Sequence, residues 1–196
     1  MIRVASYNIR KAIGLDRRRD PERTLTVLRE LQADVVALQE ADRRFGSRAS
    51  AIPPLRLREF SDYRAVQLDT RPDSIGWHGN AILVREGTEV LAAGPIPLPT
   101  LEPRGAVFAD VALAGRTPIR VVGMHLDLSG IRRRQQIRAI LHHSGDCGLP
   151  MVLMAISTNG RLSAARCANL ARASACWLLA AAFIAAAWLP NWIVWW

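Results

Sequence analysis

The run Asp34-Val35-Val36-Ala37-Leu38-Gln39-Glu40 constrains this chain more than any other stretch. Its middle is apolar at successive positions, so both faces ask for burial, as in a strand covered by other layers on each side. It then delivers a carboxylate, Glu40, at its carboxyl end. A buried strand that ends in a charge is a way to build a site as well as a core.

The flanking segments supply the layers. Val4-Ala5-Ser6-Tyr7-Asn8-Ile9 reads as a short strand, followed by an arginine-rich loop from Arg10 to Asp20. A helix is expected next. Asp20 suits the N-cap and Pro21 the first helical position, and Leu25, Leu28 and Leu31 fall along one stripe. Further strands are expected at Tyr63 to Leu68, Asn80 to Arg85, Gly105 to Leu113, Ile119 to Leu126 and Met151 to Met154. A second helix is expected from Ser129 through Leu141, with Ile137, Ile140 and Leu141 on one side and arginines on the other. Interleaving of this kind predicts an α/β layered domain in which helices cover sheets.

Charge and cysteine usage narrow the class. The formal charge is +9, but residues 155–196 hold three of the 26 basic residues and none of the 17 acids. The first 154 residues therefore carry 23 bases against 17 acids, or +6. That excess suits either a solvated arginine surface or attraction of a phosphate-bearing substrate. Cys147, Cys167 and Cys176 are scattered and odd in number, which argues against a disulfide framework or a structural zinc site. The opening residues lack the apolar core of a secretory signal, so a cytoplasmic location is expected.

Four polar residues stand at strand ends or rims: Asn8, Glu40, Asn80 and His125. Each alone is compatible with a turn or a solvated loop. Together they comprise the groups that hydrolysis of a phosphate ester uses, since layered α/β folds gather such residues into one cleft. A carboxylate holds a hard divalent cation, amides contact phosphate or water oxygens without adding charge, and an imidazole donates a proton near neutral pH.

The same residues carry a resemblance. Ser6-Tyr7-Asn8-Ile9-Arg10, Asp34 to Glu40, Gly79-Asn80-Ala81-Ile82-Leu83 and Gly123-Met124-His125-Leu126 resemble successive motifs of the endonuclease/exonuclease/phosphatase superfamily, in that family's order. The resemblance implies a four-layered αββα sandwich, incomplete at its carboxyl end. It implies a Mg²⁺ or Mn²⁺ cofactor on Glu40 with Asn8 nearby, and His125 and Asn80 at the scissile phosphate. Arg104 resembles a basic residue of the family near the phosphate. The implied activity is hydrolysis of a phosphodiester or phosphomonoester, on a nucleic acid, a phosphoinositide-like lipid or a small phosphate ester.

The resemblance stops at Met154. There the family motif Gly-Asp-Phe-Asn is expected, yet the chain reads Ala155-Ile156-Ser157-Thr158-Asn159-Gly160. Codons ATG GGC GAT TTC AAC GAA TGG encode Met-Gly-Asp-Phe-Asn-Glu-Trp, and loss of one G gives ATG GCG ATT TCA ACG AAT GG, which reads Met-Ala-Ile-Ser-Thr-Asn-Gly. Residues 1–154 are thus expected to form the amino-terminal two thirds of such a domain, with residues 155–196 a non-family, hydrophobic, frame-shifted tail and the catalytic set incomplete. Ala173 to Trp196 carries no charge, which leaves open a membrane-tethered binding module as an alternative. Against a span, Pro190 and Asn191 interrupt the segment, and an aggregation-prone appendage is the other reading.

Overall fold

The computed structural model describes residues 2–43, 48–68, 73–100, 104–145 and 147–155, and the backbone of 193–195. The first strand, β1 (Val4–Asn8), pairs in parallel with β2 (Val35–Gln39), so the two chemistry-bearing ends point the same way. Between them runs α1 (Pro21–Leu31). Its start follows the expected chemistry, with the Asp20 carboxylate accepting from the Arg23 amide at 3.2 Å and Pro21 in the first turn. Its buried residues Leu25, Leu28 and Leu31 lie against Ala5, Tyr7, Val36 and Leu38 of the sheet.

The sheet is completed by β3 (Tyr63–Ala65) and β4 (Ala81–Arg85), giving the order β3-β4-β2-β1. A further segment, β9 (Ile193–Trp195), lies antiparallel to β1 at that sheet's other edge. The second sheet has the order β5 (Glu89–Ile96), β6 (Ala106–Ala112), β7 (Ile119–Met124) and β8 (Met151–Ala155). β2 faces β7 and β4 faces β6. Between the sheets Val4, Val35, Ala37, Ile82 and Val84 meet Val107, Ala109, Val111, Val121 and Val152. The other face of the second sheet is covered by α3 (Gly130–Ser144), whose Ile137 and Ile140 pack on Val122, Met124, Met151 and Leu153. Helix, sheet, sheet, helix is the four-layered αββα sandwich.

Gly123 sets the spacing of the two sheets near the site. A Cβ there would stand 3.1 Å from the Ala37 Cβ, with Ile82 and Val107 at 3.7 Å, so the sheets meet closely because β7 lacks a side chain at that point.

Besides β9, a helix and a strand have no counterpart among the expected elements. The short α2 (Pro54–Phe60) begins in a Pro-Pro pair that reads as loop. β5 contains Gly94 and Pro95, which break a strand pattern, and the structure accommodates them because β5 is an edge strand whose register also shifts between Val90 and Ala92. The strand expected to reach Leu68 ends at Ala65, although the Val66 amide still donates to the Ile82 carbonyl at 2.9 Å. The expected tail, residues 155–196, lies outside the described residues apart from Ala155 and the backbone of β9. Among the described residues no helix is long and apolar enough to cross a membrane.

Candidate active site

The site forms where the backbone stops being strand. Beyond the paired ends of β1 and β2, the Ile9 amide donates to the Gln39 carbonyl at 3.0 Å and the Lys11 amide to the Glu40 carbonyl at 2.9 Å. A 3-10 turn, Arg10–Ala12, follows β1. Lys11 (φ 59°) and Glu40 (φ 52°) both adopt the left-handed conformation, which is uncommon for residues with a Cβ and typical of functional turns. The two side chains consequently meet: Lys11 Nζ lies 2.6 Å from Glu40 Oε2, each side chain a little over a quarter exposed. The other carboxylate oxygen, Oε1, accepts from Asn8 Nδ2 at 3.4 Å, while Asn8 Oδ1 accepts from the Arg10 amide at 2.9 Å. Behind this rim Gln39 and Ser6 hydrogen-bond to each other at 3.1 Å, sealing the inner layer.

The opposite wall comes from β4 and the second sheet. The turn before β4 is closed by reciprocal backbone bonds between Trp77 and Asn80. Gly79 (φ 82°) needs the freedom of glycine there, and its amide donates to Asp42 Oδ2 at 3.0 Å while its carbonyl accepts from Ala41. His125 follows β7 directly, and its amide donates to the Gly105 carbonyl at 3.2 Å. Arg104 Nη1 donates to the Leu126 carbonyl at 2.7 Å.

These elements enclose a cleft of about 130 Å³ lined by Lys11, Glu40, Asp42, Arg48, His78, Gly79, Arg104 and His125. That is small beside the site of a drug-sized ligand and in keeping with a phosphoryl-sized group. Lys11, Arg48 and Arg104 supply positive charge against the carboxylates of Glu40 and Asp42. Burial pushes the Glu40 carboxyl upward, but the Lys11 hydrogen bond and charge, the Asn8 amide and the His125 charge together outweigh it, so it lies below its ordinary value. Glu40 is ionised at neutral pH.

Of the residues expected from sequence at the site, Glu40, His125 and Arg104 line the cleft and Asn8 braces Glu40 from the side. Asn80 is fully buried next to the lining residues His78 and Gly79 and does not itself line the cleft. Its Nδ2 donates to the Gly105 carbonyl at 2.9 Å and approaches the Trp77 and His78 carbonyls at 3.4 Å, while its Oδ1 has no partner among the described residues. Lys11, Asp42, Arg48 and His78 escape sequence reasoning. His78, which as a residue without a partner pattern suits a surface position, instead faces the cleft with its Nδ1 at 2.9 Å from Arg48 Nη1. Its position next to Gly79-Asn80 is the available signal; Arg48 offers none.

A hard divalent cation fits this arrangement in kind. Glu40 offers oxygen ligands, and its carboxylate already holds a cation, the Lys11 ammonium. Among the described residues no three His, Cys, Asp or Glu side chains cluster as metal ligands.

Two packed sheets, helices on both outer faces, and a basic cleft around the carboxylates of Glu40 and Asp42 at the sheets' shared end define a sandwich with a small polar site on its rim. The chain belongs to the endonuclease/exonuclease/phosphatase family, whose model matches residues 5–186 and so continues past Met154. Solved structures agree on the fold. A protein of this family from Beutenbergia cavernae DSM 12333 is 23% identical with a TM-score of 0.57, over 78% of this chain and 46% of that one. One from Bacteroides vulgatus is 19% identical with a TM-score of 0.58, over 79% and 64%. TDP2 of D. rerio, complexed with single strand DNA product, is 20% identical with a TM-score of 0.59, over 86% and 64%. The chain thus spans less than half of the first of these and under two thirds of the other two. A search of curated proteins returned no match.

Proposed function

We propose that this site belongs to a metal-dependent hydrolase of phosphodiester or phosphomonoester bonds. The observation that carries the reading is the convergence of Asn8, Glu40, Arg104 and His125, from four separate segments, on one small cleft that holds both an ionised carboxylate and a surplus of cations. Glu40, steadied by Asn8, would hold Mg²⁺ or Mn²⁺. When bound, such an ion neutralises charge on the phosphoryl and leaving oxygens. Arg104 contributes a fixed positive charge to phosphate, its guanidinium anchored on the Leu126 carbonyl. His125 is positioned by the Gly105 carbonyl and faces the cleft, where it would donate a hydrogen bond or proton to a phosphoryl oxygen. Asn80 serves as a positioning residue, tying the turn that carries His78 to Gly105 beside Arg104.

Nucleic acid is the substrate class we favour. The six-unit positive excess of residues 1–154 supports it, as does the single strand DNA product held by TDP2 of D. rerio.

The Asp and Asn of a Gly-Asp-Phe-Asn motif do not follow Met154; although the family match runs on to residue 186, the codon reading of residues 155–160 supports a one-base deletion near codon 155. The 196-residue chain is accordingly expected to turn over weakly or not at all. Magnesium-dependent release of p-nitrophenol from bis(p-nitrophenyl) phosphate tests this. A frame-restored protein should be active and should lose activity with chelator. Equal turnover by the 196-residue chain would refute the missing-residue reading, and an inactive restored protein would refute the hydrolase.

A further inference from the structure

We propose that Lys11 is an exchangeable counter-ion: its ammonium occupies the cation place of Glu40 in the free protein and passes to the substrate phosphate when a divalent cation takes the carboxylate. This rests on the reading of Glu40 as the metal-holding residue. The geometry is particular to the pair. Both residues sit in left-handed turns just past paired strand ends, with the Lys11 amide bonded to the Glu40 carbonyl, so the backbone itself brings ammonium and carboxylate to 2.6 Å. Each side chain remains partly exposed on the cleft, and the lysine stem has the rotatable bonds to swing across a space this small.

The exchange follows from charge. An ammonium within hydrogen-bond distance of the carboxylate repels any divalent ion approaching the same oxygens, so both cannot keep their places. Displaced, the ammonium still lies in a cleft whose opposite wall carries Arg104 and His125, where an incoming phosphate is the strongest anion to receive it. Lys11 would then weaken metal binding by the empty protein and strengthen phosphate binding by the metal-loaded one. Binding of one ligand thereby promotes binding of the other.

The test is calorimetric or water-proton relaxation titration with Mn²⁺, then with inorganic phosphate at saturating Mn²⁺, for the 196-residue protein and its Lys11→Met, Lys11→Arg and Glu40→Gln variants. Circular dichroism checks that each variant folds. Lys11→Met should bind Mn²⁺ tighter by roughly an order of magnitude and inorganic phosphate several-fold more weakly. Lys11→Arg should track the wild type, and Glu40→Gln should lose Mn²⁺. Unchanged or weaker Mn²⁺ affinity in Lys11→Met overturns the exchange while leaving Glu40 as the metal residue, and so does unchanged phosphate affinity. Absence of Mn²⁺ binding by both wild type and Lys11→Met overturns the exchange together with the metal reading.

Discussion

Glu40 stands between burial, which penalises its charge, and three groups that favour it: the Lys11 ammonium, the Asn8 amide and the His125 side chain. The favourable groups win, and the sign of that balance has a consequence for stability. A carboxyl whose folded-state pKa is depressed adds stability above its unfolded value and loses it as pH falls through the lower, folded one. With chelator present, Glu40→Gln should therefore be less stable than wild type at neutral pH, by about 1 kcal/mol or less, as suits a partly exposed pair. The gap should close as pH drops below the ordinary glutamate range. Urea unfolding of both proteins from neutral pH down to roughly pH 3 measures it, and a gap independent of pH would mean that the Lys11–Glu40 pair contributes nothing.

At the scale of elements, the site depends on how closely two sheets approach. β7 leads into His125 at the cleft, and Gly123, two residues earlier, leaves no side chain to press on Ala37 of β2, whose Cβ a Cβ at this point would meet at 3.1 Å. Gly123→Val should cost about 1–3 kcal/mol through overpacking, and it should displace His125 relative to Glu40. Thermal unfolding checks the first effect and histidine NMR shifts on Mn²⁺ or phosphate addition check the second. A variant as stable as wild type would show that the two sheets are free to move apart at this point. Element-scale features also mark what could be read in advance. The Asp20-Pro21 helix start and the doubly apolar β2 were legible because capping and burial leave local signatures. β5 was not, since Gly94 and Pro95 are tolerated only by an edge position, which is a property of the sheet and not of the segment.

For the whole molecule, the sandwich turns several weak local signals into one site. Glu40, His125 and Asn8 were visible as polar residues at strand ends and Arg104 through its resemblance to a basic residue of the family, and the fold brings them together. Lys11 was hidden because its approach to Glu40 requires two left-handed residues that no local pattern announces. Arg48 and Asp42 enter the cleft through loop paths set by distant segments, such as the Gly79 amide on Asp42. Asn80, which the resemblance puts at the scissile phosphate, is fully buried, with its amide clasping the Gly105 carbonyl.

The proposed function requires Glu40 to hold a divalent cation beside a phosphate. A crystal structure of the 196-residue protein grown with Mn²⁺ and inorganic phosphate, with anomalous data, addresses that directly. The expected result is an anomalous peak about 2.0–2.3 Å from a Glu40 carboxylate oxygen, with the Lys11 ammonium moved off that carboxylate and phosphate density between Arg104 and His125. A saturated crystal with no peak at Glu40, or with Mn²⁺ bound only elsewhere on the surface, would contradict it.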